Sequence, residues 1–121
     1  MTSEITERNK EVVRRVNRGF AADDPAAILA CLADDVRWMV VGHFLAVGKE
    51  EFRKRIRHEN FTGAPTIEIK NEIAEGDCVA VEGRVSSRLK NGAPFQAYFH
   101  NSYRLENEKI KEMTSYVVPR A

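Results

Sequence analysis

Two residues of this chain stand out by type and position as candidates for chemistry, His43 and Asn101. His43 follows a predicted strand. The imidazole group, whose ordinary pKa is about 6.5, can act as an acid or a base, although a loop histidine is more often a plain surface residue. Asn101 shares one face of a predicted strand with Phe99 and Tyr103, because alternate residues of a strand point the same way. A buried amide needs partners, so Asn101 either binds a ligand or is satisfied by neighbouring side chains.

The sequence lacks the motifs of several other kinds of chemistry. No His, Cys, Asp or Glu cluster has metal-ligand spacing, and there is neither a glycine-rich phosphate loop nor a Gly-x-Ser-x-Gly motif. We therefore expect no metal and no cofactor. The two cysteines, Cys31 and Cys78, are too few for a disulfide framework and predict reduced thiols in a cytoplasmic protein. A Cys–His nucleophile pair stays open, but nothing in the sequence places either cysteine near a histidine.

The charges give little support for a nucleic-acid or membrane partner. Nineteen basic and eighteen acidic residues leave a net charge of +1, which creates no overall electrostatic field that would attract a polyanion. The basic run 53–58 could contact phosphate, but Phe52 and Ile56 would anchor that helix inward, so a solvated helix face is the better interpretation. No apolar run approaches the ~20 residues of a membrane span, and the polar N-terminus is unlike a signal peptide. We expect neither partner.

Helices in the first half of the chain must help to position the candidate residues. Apolar residues from Ile5 to Phe20 keep to one side of a helix predicted over 3–22. Asp24 and Pro25 then cap and start a second helix, which is predicted to stop at Asp34-Asp35. A strand over 36–41, a loop over 42–48 and a third helix over 49–57 complete this half.

The second half of the chain alternates with the period of strands. From Pro65 onward the period is two, and turns at 75–77, 91–92 and 107–108 separate the strands. Helices followed by a meander of long antiparallel strands indicate one α+β domain over 1–121. Such a curled sheet, with helices across one face, encloses a cone whose apolar interior suits a small molecule.

In this order of elements the chain resembles the nuclear transport factor 2-like (NTF2-like) superfamily. More narrowly, it resembles the SnoaL-like polyketide cyclases and the ketosteroid isomerases, over about 9–116. The motifs that carry the resemblance are Ala-Asp-Asp-Val-Arg-Trp at 33–38, Gly48-Lys49-Glu50-Glu51-Phe52, Glu75-Gly76-Asp77-Cys78-Val79-Ala80-Val81-Glu82-Gly83, and Asn107-Glu108-Lys109-Ile110 through Tyr116. The resemblance implies a cystatin or NTF2-like cone, a curved antiparallel sheet wrapped around three N-terminal helices. It does not fix an activity, because one fold hosts many.

The residues of a ketosteroid isomerase carry over only in part. Val16 stands where those enzymes place a Tyr that donates to the substrate oxyanion, and Val40 stands where they place the general-base Asp. Asn101 matches their protonated Asp, a well-known case of a carboxylic acid kept neutral by an apolar site. An amide can still donate to a carbonyl oxygen, but it cannot abstract a proton. Steroid isomerisation by that mechanism is therefore not expected.

The resemblance also implies a ligand and a chemistry. It assigns a ligand-binding role to the inward-facing residues Trp38, Val40, Val81, Phe99 and Tyr103. If the chain is an enzyme, a cofactor-independent isomerisation, cyclisation or dehydration of an apolar carbonyl compound is expected. Asn101 would polarise the carbonyl, and His43 at the cavity mouth would shuttle the proton. The alternative is a non-catalytic ligand-binding or dimerisation domain. No carboxylate is predicted in the cavity, which disfavours the Asp–Arg–Asp set of the epoxide hydrolases.

The opposite face of the predicted sheet is polar. It carries Glu82, Arg84, Tyr98, His100, Ser102 and Arg104. This surface is either solvated or forms an isologous interface with cross-strand charge pairs. Because relatives commonly dimerise through it, the resemblance implies a homodimer.

Overall fold

The computed structural model describes residues 4–57 and 61–120 of the chain. Within them, helices and strands follow one another in the order α1, α2, β1, β2, α3, β3, β4, β5 and β6. Their bounds are Glu4–Ala21 (α1), Pro25–Leu29 (α2), Leu32–Val40 (β1), Phe44–Val47 (β2), Lys49–Ile56 (α3), Phe61–Glu75 (β3), Cys78–Leu89 (β4), Pro94–Glu106 (β5) and Lys109–Pro119 (β6). Helices come mainly before the long strands, so the predicted α+β class is confirmed.

Helix α1 buries one stripe of its surface. Thr6, Asn9, Val13 and Val16 recur every three or four residues and are buried. The Asn9 amide lies within this stripe and donates a hydrogen bond of 3.3 Å to the Gly76 carbonyl, which satisfies part of a buried polar group. The helix agrees with the prediction, but its buried face does not include Ile5, whose side chain is exposed.

Helix α2 begins as predicted and ends early. The Asp24 carboxylate accepts a 3.2 Å hydrogen bond from the backbone N–H of Ala27, and Pro25 occupies the first helical position, where no N–H partner is needed. The helix ends at Leu29 after five residues. The predicted stop at Asp34-Asp35 is therefore wrong.

Strand β1 begins at Leu32, inside the stretch that the sequence predicts as the end of that helix. Leu32 is paired with Ile110 of the last strand, and the Ile110 N–H donates to the Cys31 carbonyl at 2.9 Å. Asp34 and Asp35 consequently lie inside β1. Leu32 fits a helical pattern with its preceding neighbours, but pairing with a distant strand overrides that local preference.

Strand β2 lies inside the predicted loop over 42–48. It pairs antiparallel with β1, with Leu45 opposite Met39 and Phe44 opposite Val40. Gly42 has φ of 82°, a conformation that favours glycine, and lies in the connecting turn. The prediction missed this strand because four residues are too few to show alternation.

The strands form one mixed sheet in the order β2-β1-β6-β5-β4-β3. Strands β3 to β6 are antiparallel neighbours, as predicted, and turns at Gly76, Asn91-Gly92 and Asn107-Glu108 connect them. The pair β1–β6 is parallel, so the prediction of an all-antiparallel sheet is wrong there. The chain passes through α3 and the meander before β6 returns beside β1, in the same direction.

The helices cover one face of the sheet. Helix α1 packs against β3 and β4, and α3 packs against β1 and β2. The predicted alternation on β5 is confirmed, since Phe99 and Tyr103 are buried while Tyr98 and His100 on the other face are exposed. The homodimer through this outer face stays a prediction. None of the described helices is long and apolar enough to cross a membrane.

Candidate functional site

A cavity of about 170 Å³ lies where the end of helix α1 faces the inner side of the sheet. Helix α1 and strands β1, β3, β4, β5 and β6 all contribute side chains to its wall. The lining residues are Asn17, Phe20, Trp38, Val40, Pro65, Ile67, Val85, Phe99, Asn101, Met113, Ser115 and Val117. Aliphatic and aromatic side chains predominate, with a few polar groups among them. That composition is typical of small-molecule sites.

Two polar side chains of the wall are already paired with neighbours in the protein. The Trp38 indole N–H donates a buried hydrogen bond of 3.0 Å to the Ser115 hydroxyl. The Asn101 amide nitrogen donates a 3.3 Å hydrogen bond to the Tyr103 hydroxyl. Trp38 is thus not free to bind a ligand through its N–H. Asn101 is only half-buried, and its amide oxygen and second N–H have no other hydrogen bond among the described residues.

Tyr103 and Val81 belong to the buried core. Both side chains are fully buried, and neither is among the lining residues. Val81 stands opposite Asn101 across the β4–β5 pair, so it supports the strand that carries the amide. Burial raises the pKa of the Tyr103 hydroxyl, while the hydrogen bond from Asn101 acts in the opposite direction. Tyr103 therefore orients Asn101 as a neutral partner from within the core.

The buried Tyr103 hydroxyl predicts a loss of stability in alkaline solution. Its pKa is higher in the folded state than in the unfolded chain. The stability that it contributes is therefore complete below the ordinary tyrosine pKa of about 10 and falls as the pH rises above it. We expect Tyr103→Phe to flatten this alkaline decline, as measured by urea unfolding at a series of pH values. An unchanged slope in the variant would contradict the assignment.

None of the described histidines lines the cavity. His43 lies exposed in the turn between β1 and β2, where its backbone N–H donates to the Val40 carbonyl at 2.9 Å. His100 lies on the outer face of the sheet, with its ring 6.3 Å from that of Tyr116. His58 lies outside the described residues. The structure therefore does not bring His43 and Asn101 together around the cavity, as proton shuttling would require.

Ionisable side chains are likewise missing from the cavity wall formed by residues 4–57 and 61–120. The thiols lie elsewhere: Cys31 is buried, and burial raises its pKa, while Cys78 is exposed and its hydrogen bond to the Asp77 carboxylate raises its pKa. Neither has the lowered pKa of a nucleophilic thiolate. No group of three metal-ligating side chains comes together in the described part of the chain. The cavity can bind and orient a molecule by contact and hydrogen bonding.

Sequence reasoning found part of this wall and missed the rest. Of the predicted ligand-binding residues, Trp38, Val40 and Phe99 line it, as do Asn101 and Val85, which the resemblance also places in the cavity. The missed residues are Asn17, Phe20, Pro65, Ile67, Met113, Ser115 and Val117. Alternation on β6 could have found the last three, because Met113, Ser115 and Val117 share one face of that strand. Nothing local to the sequence marks Asn17 or Pro65 as a cavity residue.

The match to known families agrees with this architecture. The sequence model of the SnoaL-like domain matches residues 13–113. The chain belongs to this family. The resemblance predicted from the motifs is thereby confirmed for a SnoaL-like domain. No curated protein matches the sequence significantly.

Solved structures similar to this SnoaL-like domain share its fold. An NTF2-like protein of unknown function from Burkholderia pseudomallei is 24% identical, with a TM-score of 0.83, over 89% of this chain and 88% of that one. A SnoaL-like polyketide cyclase homologue from Jannaschia is 17% identical, with a TM-score of 0.87, over 97% and 90%. TerC, co-crystallised with polyporic acid, is 20% identical, with a TM-score of 0.80, over 89% of each chain. At these identities the likeness establishes the fold.

Proposed function

We propose that this SnoaL-like domain binds a small, mainly apolar compound that carries one carbonyl oxygen. The observation that carries the proposal is the half-buried Asn101 amide on the wall of an otherwise largely apolar cavity of about 170 Å³. The apolar wall favours a hydrocarbon body by removing it from water. The co-crystallisation of TerC with polyporic acid supports a small-molecule role for this fold, by analogy alone.

Asn101 is suited to fix the ligand's oxygen. Its side-chain N–H donates a hydrogen bond to the buried Tyr103 hydroxyl, which limits the rotation of the amide. An amide has two N–H donors and one acceptor oxygen, and only one N–H is used by Tyr103. The remaining N–H can donate to a ligand carbonyl, and the amide oxygen can accept from a ligand hydroxyl. A single oriented polar group in an apolar wall fixes the orientation of an oxygenated ligand.

We propose binding rather than proton transfer. Abstracting a proton next to a carbonyl needs a base within hydrogen-bond reach, and an amide cannot serve as one. Val40 lines the cavity where a ketosteroid isomerase places its Asp, and His43 is exposed in the turn beyond it. The alternative of a non-catalytic ligand-binding domain is therefore the better-supported one.

A matched pair of bicyclic probes tests the role of Asn101. Decalone and decalin share one carbon skeleton, and only decalone has a carbonyl. We expect Asn101→Ala to weaken decalone binding by about one hydrogen bond, roughly 0.5–1.5 kcal/mol. The same substitution should leave decalin binding almost unchanged, because decalin has no oxygen for the amide to bind. Trp38 is the only tryptophan and lines the cavity, so its fluorescence reports the binding of both probes.

Two controls separate the site from the rest of the chain. Ser102→Ala changes the next residue of β5 on the outer face and should leave both affinities unchanged. His43→Ala should also leave both affinities unchanged. Neither the unmodified protein nor His43→Ala should speed deuterium exchange next to the decalone carbonyl, as followed by NMR. If Asn101→Ala changes the affinities for decalone and decalin by the same amount, the proposal is refuted. Accelerated exchange that disappears in His43→Ala would restore the proton-transfer mechanism.

A further inference from the structure

A second cavity of about 140 Å³ adjoins the first one. The two cavities have three wall residues in common, Phe20, Pro65 and Val85. Phe20 comes from the end of α1, Pro65 from β3 and Val85 from β4. These three side chains therefore stand between the two spaces and form what we call the partition.

The second cavity continues the apolar surface of the first. Phe61 and Phe95 meet edge to face in its wall, with ring centroids 5.0 Å apart, and Ile56 contributes from α3. Its charged residues, Asp23 and Arg57, are bonded to each other in an ion pair. The Asp23 carboxylate thus offsets the charge of the Arg57 guanidinium, which favours a neutral chain in this space over an acidic one.

Phe20 is the member of the partition whose removal would open a passage. Pro65 and Val85 belong to β3 and β4, which pair with each other along most of their length. Pro65 lies where that pairing is interrupted between Thr62 and Thr66, so backbone geometry fixes its ring in place. The Phe20 side chain reaches in from a helix and meets the Trp38 ring edge-on at 5.9 Å.

We infer that Phe20 sets the length of the ligand that the site accepts, by closing the first cavity against the second. This inference rests on the proposed function, because it concerns the same ligand. A neutral compound that fits the first cavity binds with its oxygen at Asn101. A longer chain is stopped at the Phe20 ring. Without the ring, the same chain would continue into the second cavity, beside the contacting rings of Phe61 and Phe95.

The test uses methyl ketones of increasing chain length, from pentanone to decanone, titrated against Trp38 fluorescence. Each buried methylene raises affinity by roughly fourfold. In the unmodified protein we expect that gain to stop at a chain length that fills the first cavity. In Phe20→Ala the gain should continue for at least two further methylenes. Phe20→Leu, which keeps a branched side chain for folding, should move the limit in the same direction by a smaller step.

Phe44→Ala is the matched control. The Phe44 ring also forms an edge-to-face pair with Trp38, with centroids 5.2 Å apart, but it lines neither cavity. The chain length at which affinity stops rising should therefore be the same in Phe44→Ala as in the unmodified protein. The same limit in the unmodified protein, Phe20→Ala and Phe20→Leu would overturn the role of Phe20 while leaving ligand binding intact. If no methyl ketone of any length binds the unmodified protein, the proposed function fails as well.

Discussion

Replacing Phe52 by alanine is expected to lower the free energy of unfolding by roughly 3–5 kcal/mol, as for other fully buried aromatic residues. The Phe52 side chain has 0% exposure, and its ring stacks on Trp38 with centroids 4.5 Å apart. Removing it leaves an unfilled space behind the tryptophan that forms part of the cavity wall. Because whole domains are stable by only about 5–15 kcal/mol, this is a large fraction of the total. Urea unfolding followed by Trp38 fluorescence measures it.

Phe44→Ala provides the comparison within the same aromatic cluster. Phe44 is only half-buried, and its ring is nearly perpendicular to that of Trp38, so its loss should cost clearly less than the loss of Phe52. If Phe52→Ala does not fold, Phe52→Leu retains most of the buried volume and should show a smaller loss of the same sign. Equal destabilisation by Phe44→Ala and Phe52→Ala would contradict the assignment of Phe52 as the support of Trp38.

Adding one methyl group to Gly83 is expected to destabilise the fold by roughly 1–3 kcal/mol, the usual cost of overpacking. A Cβ at this position would lie 2.0 Å from the carbonyl oxygen of Glu68 and 3.1 Å from the Cα of Ile69. Both atoms belong to the backbone of β3, so no side chain can turn away to make room. The edge strand β3, which carries Pro65 and Ile67 of the cavity wall, would have to move outward.

Two measurements on Gly83→Ala follow from that displacement. The urea midpoint should fall, and decalone should bind more weakly because the wall formed by β3 has shifted. Ser86→Ala, three residues further along β4, removes atoms without adding any and should stay within about 0.5 kcal/mol of the unmodified protein. Unchanged stability and unchanged binding in Gly83→Ala would show that β3 does not depend on a bare backbone at this position.

Local chemistry in the sequence determined much of the fold. The cap at Asp24 and Pro25, the turn at Asn91-Gly92 and the two-residue period of β5 each depend on neighbours a few residues apart, so they can be deduced from the sequence alone. Together with the motifs, they sufficed to predict the α+β class and the SnoaL-like family. The alternation on β5 also placed Asn101 on the inner face of the sheet.

Contacts between distant segments decided the rest. Leu32 fits a helical pattern but lies in a strand, because it pairs with Ile110 of the last strand. The parallel pairing of β1 with β6 likewise joins segments that are far apart in the sequence. The partners of the polar groups are equally non-local: the Trp38 N–H is occupied by Ser115, 77 residues away. His43, chosen by its chemistry, lies exposed in a turn, whereas Phe20 reached the cavity because α1 ends there. A sequence specifies which groups are present, but the distances that make a site arise only when the whole chain has packed.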